Sequence, residues 1–405
     1  MTNEQKVLLR LMQTAVNGTE IDLSDIESID WQAVAKESHQ QTVLVMAVDA
    51  ATKIKNIIPK DVFDNWSKKA FGYLIANSKV ENSQKELVKL LEDNSYSYVI
   101  LKGEAVASYY PRPDLRALGD VDFLIDPSKK EEITALLHEN GYNSFFEEGH
   151  VCHVVFQKPD AHLEMHYEIP GIPHGETGEK VRDFVESSVY EGEKKSNDSG
   201  SFNAPSDCHH ALILLLHMQH HMVSEGIGLR HLCDWACFVK ETVKKPFWKE
   251  KLIPFLKDIG LMTYTEAMTK VCSKAFGTEC PDWALKADDT LCEQILEDVL
   301  SGGNFGIKDE SRVQSGMLIT NRGKDGFNHN KWYRMYAVLK RNIEAQHPKV
   351  KKCPILYPFY FIQKILRYLI LSIKGERLAI NKLASEIDKR KSVYEQLQIF
   401  EVEEK

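Results

Sequence analysis

The sequence predicts an α+β protein in which a small α/β core sits between two helical regions. Three observations carry this. Apolar residues recur at helical spacing from Val7 through Leu90. From 91 to about 190, short β-prone runs alternate with helical stretches, and from Asp207 onward the pattern is helical again. A chain of 405 residues accommodates two or three domains. The changes of pattern divide it into a helical N-terminal region (1–90), a core (91–206) and a helical C-terminal domain (207–405).

The N-terminal region opens on Val7, Leu8, Leu9, Leu11 and Met12, an apolar set for one helix face. The core opens on Tyr98-Val99-Ile100-Leu101, which predicts a strand over 97–101 ending at Lys102-Gly103. Ala105 to Tyr110 predicts a short helix that Pro111 and Pro113 stop. Strand, glycine and helix N-terminus together suit an anion: Gly103 would let the backbone approach a phosphate, and Lys102 or Arg116 would add positive charge. A plain tight turn is the commoner use of a single glycine. Residues 120–126 predict a second strand, and Ser128 to Asn140 an amphipathic helix with Ile133, Leu136 and Leu137 on its apolar face and Gly141 as C-cap. Val151 to Gln157 and 161–169 predict two more strands, joined by a turn at Lys158-Pro159-Asp160, with His162, Glu164, His166 and Glu168 on one face. Ser187 to Ser206 holds the polar run Glu191 to Gly200 and predicts a loop or linker.

The chemistry concentrates in Arg116-Ala-Leu-Gly119-Asp120-Val-Asp122-Phe-Leu-Ile-Asp126. Asp120 and Asp122 stand two apart in an apolar run, so in a strand both carboxylates point to the same face. Adjacent buried anions repel, and a bridging cation removes the repulsion. Hard oxygen ligands shared with substrate phosphates suit Mg²⁺. Glu164 would supply a third carboxylate, enough for two metals or for one metal and a general base. The plain alternatives are solvated acids at a strand edge for the aspartates and half of a cross-strand ion pair for Glu164.

The segment Leu101-Lys102-Gly103, then Arg116-x-x-Gly119-Asp120-Val121-Asp122-Phe123-Leu124-Ile125, then Leu163-Glu164-Met165-His166-Tyr167 resembles the uncharacterised nucleotidyltransferase family of the polymerase-β-like superfamily. The resemblance implies a small mixed sheet and Mg²⁺- or Mn²⁺-dependent transfer of a nucleoside monophosphate from an NTP, such as ATP, to a hydroxyl or phosphate acceptor, with pyrophosphate released. By position it implies Asp120, Asp122 and Glu164 as catalytic residues and metal ligands. It places Lys102, Gly103, Arg116 and Gly119 at the nucleotide. Glu104 departs from the wider superfamily, whose glycine motif usually continues with Ser or Gly. Trp31 to Met46, the stretch His217-x-x-x-His221 with Gly228 to Asp234, and Pro354 to Arg367 resemble helical parts of the same family.

Five histidines cluster at 209, 210, 217, 220 and 221. His217 and His221 share a helical face, but no Glu follows His217 to act as a zincin base. Helix packing is the plain reading; the functional one is an acceptor pocket formed by His166, His217, His221, Arg230 and Asp234. A structural hydrogen bond competes for His166, and a structural salt bridge for Arg116.

Composition bounds the partners. A formal net charge of -8 gives no basic excess for DNA. The acceptor is therefore left open among small molecule, protein and RNA. Eight cysteines form no close-paired framework, and the N-terminus lacks a signal-peptide layout; both suit reduced thiols in the cytoplasm. The apolar stretch 353–373 is broken by Gln363, Lys364 and Arg367, and reads as a core helix with a basic stripe ahead of a membrane-surface helix. Two other classes stay open: a catalytically silent nucleotide- or partner-binding module, and a nucleotidyltransferase-like toxin acting on tRNA or protein.

Overall fold

The computed structural model describes residues 1–145, 152–173, 175–197, 200–309, 354–373 and 393–401, with single positions 312, 336, 340, 343, 350 and 390 besides. Four helices lead: α1 (Asn3–Asn17), α2 (Trp31–Gln40), α3 (Leu44–Ala51) and α4 (Lys60–Asp93). The starts of the first two are written in the sequence. Thr2 and Gln5 form a reciprocal capping box for α1, and Asp30 accepts from the backbones of Gln32 and Ala33 at α2.

The core sheet has five strands: β1 (Tyr98–Ile100), β2 (Val121–Ile125), β3 (Asn143–Phe145), β4 (His153–Lys158) and β5 (Ala161–His166), in the order β1-β2-β5-β4-β3. β2 and β5 run parallel and the other pairings are antiparallel, so the sheet is mixed, as expected. Two short helices belong to it, α5 (Glu104–Ala107) and α6 (Lys130–Glu139). The strand expected over 161–169 stops at His166. Beyond it Tyr167 and Glu168 both donate their backbone N–H to the Cys152 carbonyl, and the Glu168 side chain turns to Arg182 at 2.7 Å. Glu168 therefore leaves the face it was expected to share with Glu164. Val151 lies outside the described residues.

Alternation along the strands sorts two cores. Tyr98, Ile100, Val121, Phe123, Ile125, Leu163 and Met165 pack with Leu87 and Leu91 of α4 and with Ile133 and Leu137 of α6. Val99, Leu101 and Leu124, on the opposite face, join the large helical core. That core also draws on α1 to α3 and on the helices that follow the sheet: α7 (Glu176–Ser187), α8 (Asp207–Ser224), α9 (Leu229–Thr242), α10 (Ile253–Asp258), α11 (Met262–Phe276) and α12 (Asp289–Gly302). Asp122 and Glu164 sit on this second face, turned toward α8 and α9.

Two expectations need correction. The polar run before 206 is not a linker but a hairpin, β6 (Glu193–Asn197) with β7 (Gly200–Ala204). Phe202 and Ala204 anchor it in the core with Tyr98, while its outer residues are polar because they face water. The helix Tyr357–Ile373 is not a core helix either: Phe359, Ile362 and Leu366 are exposed. No helix among the described residues is long and apolar enough to cross a membrane.

Candidate active site

β1 runs antiparallel to β2, so the end of β1 lies beside the start of β2; Leu101 N–H donates to the Asp122 carbonyl at 2.9 Å. This delivers Lys102 and Gly103 to the aspartates. Gly103 has φ 55°, ψ -120° and begins α5. An L-residue is strained there, although only the Asp120 carbonyl, at 3.8 Å, and Leu118 stand near an added Cβ. The segment between α5 and β2 is pinned by a side chain deep in α4. Asn77 donates to the Arg116 carbonyl at 2.9 Å and accepts from Leu118 N–H at 2.8 Å.

On the parallel pair β2–β5, Asp122 is the register partner of Glu164. Side chains opposed on neighbouring strands lie close, and Lys102 and His166 manage the charge between them. Lys102 Nζ stands 2.7 Å from Asp122 Oδ1. His166 Nε2 stands 3.0 Å from the same oxygen and 3.5 Å from Glu164 Oε2. Burial alone would raise the Asp122 pKa, but Lys102 and His166 outweigh it and hold the carboxyl well below the usual range. Glu164 is also lowered: His166 and Lys102 outweigh burial and the repulsion of Asp122. His166 is correspondingly raised, because Asp122 and Glu164 more than offset the cost of burying its charge.

Asp120 is the exception. Burial, then the neighbouring Asp122, then Glu164 push its carboxyl up to about 7, with only partial relief from Lys102 and Arg230. It also belongs to a donor set. Asp120, His162 and Glu164 each offer a ligand atom, all within 4.8 Å of one another. Two carboxylates and an imidazole fit a hard-to-borderline divalent cation, Mn²⁺ at least as well as Mg²⁺. His153, Glu164 and His166 make a second such group. Asp122 is in neither; Lys102 and His166 already occupy its Oδ1.

The carboxylates open on a cavity of about 350 Å³. Its far wall is helical. His217 and His221 face inward from α8; Arg230, His231 and Asp234 from α9; Phe305 from the turn after α12. Lys102 Nζ donates to His217 Nε2 at 2.8 Å, and His221 Nε2 lies 2.8 Å from that same nitrogen. Burial, then the Lys102 charge, pushes the His217 pKa well below its ordinary value, so His217 accepts. Arg116 forks onto Asp234, Nε to Oδ1 at 2.7 Å and Nη2 to Oδ2 at 2.8 Å. Tyr110 donates to the same carboxylate at 2.5 Å.

The structure therefore gathers Lys102, Gly103, Arg116, Gly119, Asp120, Asp122, Glu164, His217, His221, Arg230 and Asp234 around one cavity. Arg116 and Asp234 satisfy each other in a buried pair on the cavity wall, which is the salt bridge offered for Arg116 beside a phosphate contact. His166 does not line the cavity. It lies one pleat beyond Glu164 on β5, backing the carboxylates instead of facing an acceptor. The histidine cluster divides: His210 ties α8 to the end of β1 through the Leu101 carbonyl at 2.9 Å, and His209 bonds Ser206 and Ser187. Sequence reasoning missed Asn77, His231 and Phe305. Asn77 reads as a solvent-face polar residue, and Phe305 reaches the cavity from far along the chain.

A sequence profile of the family described as uncharacterised nucleotidyltransferase matches residues 27–277, more than half of the chain. The chain belongs to that family. The match covers α2 through α11 and hence every residue named for the site except Phe305; Pro354 to Arg367 lies outside it. Among solved structures the chain is similar to an antigenic nucleotidyltransferase-like protein from Paracoccidioides brasiliensis, at 15% identity and a TM-score of 0.34, over 52% of this chain and 97% of that one. A likeness that distant carries no argument about this chain. No curated protein matches the chain.

Proposed function

We propose that the protein transfers a nucleoside monophosphate from an NTP to a small acceptor and releases pyrophosphate. The observation that carries this is the opposition of Asp122 and Glu164 on parallel strands, with Asp120 beside them and Lys102-Gly103 at the adjoining strand end, all opening on one cavity. Asp120, Glu164 and His162 would hold a Mg²⁺ or Mn²⁺ ion, which would neutralise triphosphate charge. The rest falls to the chain itself. Gly103 leaves the backbone open to a phosphate, and Lys102 is the cation nearest to it. His166 keeps Asp122 and Glu164 ionised. The acceptor oxygen attacks the α-phosphorus, the bond to the pyrophosphate oxygen breaks, and the acceptor proton passes to the carboxylate group. Glu104, where the sequence departs from the wider superfamily, is buried, hydrogen-bonded to Gln84 and outside the cavity lining, so it lends no support to a silent binding module.

The test is pyrophosphate release from each NTP with Mg²⁺ or Mn²⁺ and a small-molecule cell extract. Release should fall by about 10²-fold or more in Asp120→Asn and Glu164→Gln, the scale of removing one electrostatic contributor to a transition state. Unchanged release in both variants would sink the proposal.

A further inference from the structure

Three cations line the cavity, and two have carboxylate partners. Lys102 pairs with Asp122 and Arg116 with Asp234. Arg230, the third, has no ion-pair partner among the described residues. Its guanidinium feels the Asp234 and Asp120 charges through space without an ion-pair contact to either, and it lies 5.9 Å from the centroid of the Phe305 ring. Beside it, His231 is 5% exposed, and neither ring nitrogen has a hydrogen-bond partner among the described residues. Both side chains line the cavity. A buried imidazole without a partner is costly unless something polar completes it, and the cation beside it on the same wall has no carboxylate of its own.

Phe305 closes this corner in a strained backbone. It has φ 52°, ψ 34°, a left-handed conformation rare for an aromatic residue. Its ring packs 4.8 Å from His221 and 5.5 Å from His231. Against the neighbouring Asn304, Gly228 at the start of α9 has no room for a Cβ, which would lie 2.8–3.0 Å away. The corner is thus tightly built. Its cavity, about 350 Å³, is at the small end for small-molecule sites.

Resting on the nucleotidyl-transfer reading, we infer that the acceptor is a small anionic molecule whose carboxylate or phosphate seats on Arg230 and His231, across the cavity from Asp120. Arg230 supplies a planar fork suited to either anion. His231 supplies a ring nitrogen to the anion or to a neighbouring hydroxyl. The two ends of the cavity then divide the work: carboxylates and Lys102 meet the triphosphate, and Arg230 meets the acceptor.

The experiment uses full-length protein and three probes by calorimetry: glycerol 3-phosphate, 3-hydroxybutyrate and neutral glycerol. One or both anions should bind and glycerol should not; which anion binds identifies the group. Arg230→Gln should weaken the anion at least ~30-fold, the scale of losing one buried charged hydrogen-bonding partner, and leave binding of a non-hydrolysable NTP analogue within about twofold. Arg230→Lys should recover part of the loss. Wild-type binding of the probes stands as a readout if a variant fails to fold. In parallel, a cell extract is split below and above ~1 kDa, the small fraction is split by anion exchange, and pyrophosphate release is measured with each. Stimulation by the retained small fraction supports the inference. Stimulation only by the large fraction, or only by the unretained one, overturns it. So does an Arg230→Gln variant that loses NTP binding and keeps the anion. Anion binding that depends on Arg230 with no pyrophosphate release from any fraction keeps the anion site and overturns the nucleotidyl-transfer reading instead.

Discussion

At the scale of single residues, the two aspartates that look equivalent in the sequence are opposites in the fold. Both substitutions to asparagine should abolish transfer, and the sequence alone suggests that both leave Tm unchanged or raise it. The structure splits them. Asp120→Asn removes a carboxyl that burial and two neighbouring anions destabilise, so Tm should rise by about 2–4 °C. Asp122→Asn strands Lys102 and His166 in a buried site, a loss of about 3–5 kcal/mol. Thermal unfolding of the pair checks this, and a fall in Tm for both would contradict it. The pH dependence follows with its sign. The Asp120 pKa is raised to about 7, so its stabilisation is full below the ordinary carboxylate value and disappears as pH rises through 7. The Asp122 and Glu164 values are lowered; their stabilisation is present above the ordinary carboxylate value and lost in acid. A second outcome concerns the cation. A proton on Asp120 competes with it, so the weak Mn²⁺ binding expected without nucleotide should fall up to about tenfold per unit below pH 7. Electron spin resonance of Mn²⁺ would show the slope, and Asp120→Asn should flatten it.

At the scale of elements, the sequence announced the strands better than their supports. β1 was legible as a short β-prone apolar run, and β2 and β5 because apolar residues flank carboxylates that no ordinary surface strand would place there. Asn77 was not legible: a polar residue in a long helix reads as solvent-facing, and only the fold shows it holding the loop before β2. Gln41 was equally silent. It is fully buried, accepts from Leu229 N–H at 3.0 Å, and donates to the Val299 and Leu300 carbonyls at 3.3 and 3.2 Å. It thereby fixes the start of α9 against the end of α12, the two elements that carry Arg230 and Phe305. Gln41→Ala leaves backbone groups unpaired at about 1–3 kcal/mol each. Gly228→Ala pushes on Asn304 from the other side. Each should lower Tm, and Gly228→Ala should raise the acceptor KM more than the NTP KM, because it moves the Phe305 corner and not the strands. Equal changes in both constants would place that corner outside acceptor binding.

At the scale of the whole molecule, the segments that the sequence reads as separate regions interlock. α1 packs on α9 and α11, and one continuous core takes in Leu8 of α1, Val99 of β1 and Leu215 of α8. The sheet contributes the carboxylates, but the cavity exists only where the helices cover it. An isolated 91–206 fragment would expose the face carrying Val99, Leu101 and Leu124. It should therefore aggregate or lack cooperative unfolding, whereas the full chain melts as a unit; circular dichroism of both settles the point. Of the cavity's helical wall, His217, His221, Arg230 and Asp234 were legible in the sequence, whereas His231 and Phe305 were not, because packing brings the turn after α12 against α8 and α9 and no local pattern encodes it.

The contact between Lys102 and Asp122 has one more consequence, for how the protein behaves before any substrate arrives. A molecule that carries its own counter-ion should not strip trace divalent ions from its surroundings; under the proposed transfer, the ion would enter as a passenger on the incoming triphosphate. Stocks prepared with and without a chelator should give overlapping melting curves, separating only when an NTP is added. Curves that separate without nucleotide would mean that the Lys102 charge beside Asp122 does not lower the pull of the neighbouring Asp120, Glu164 and His162 on a free ion.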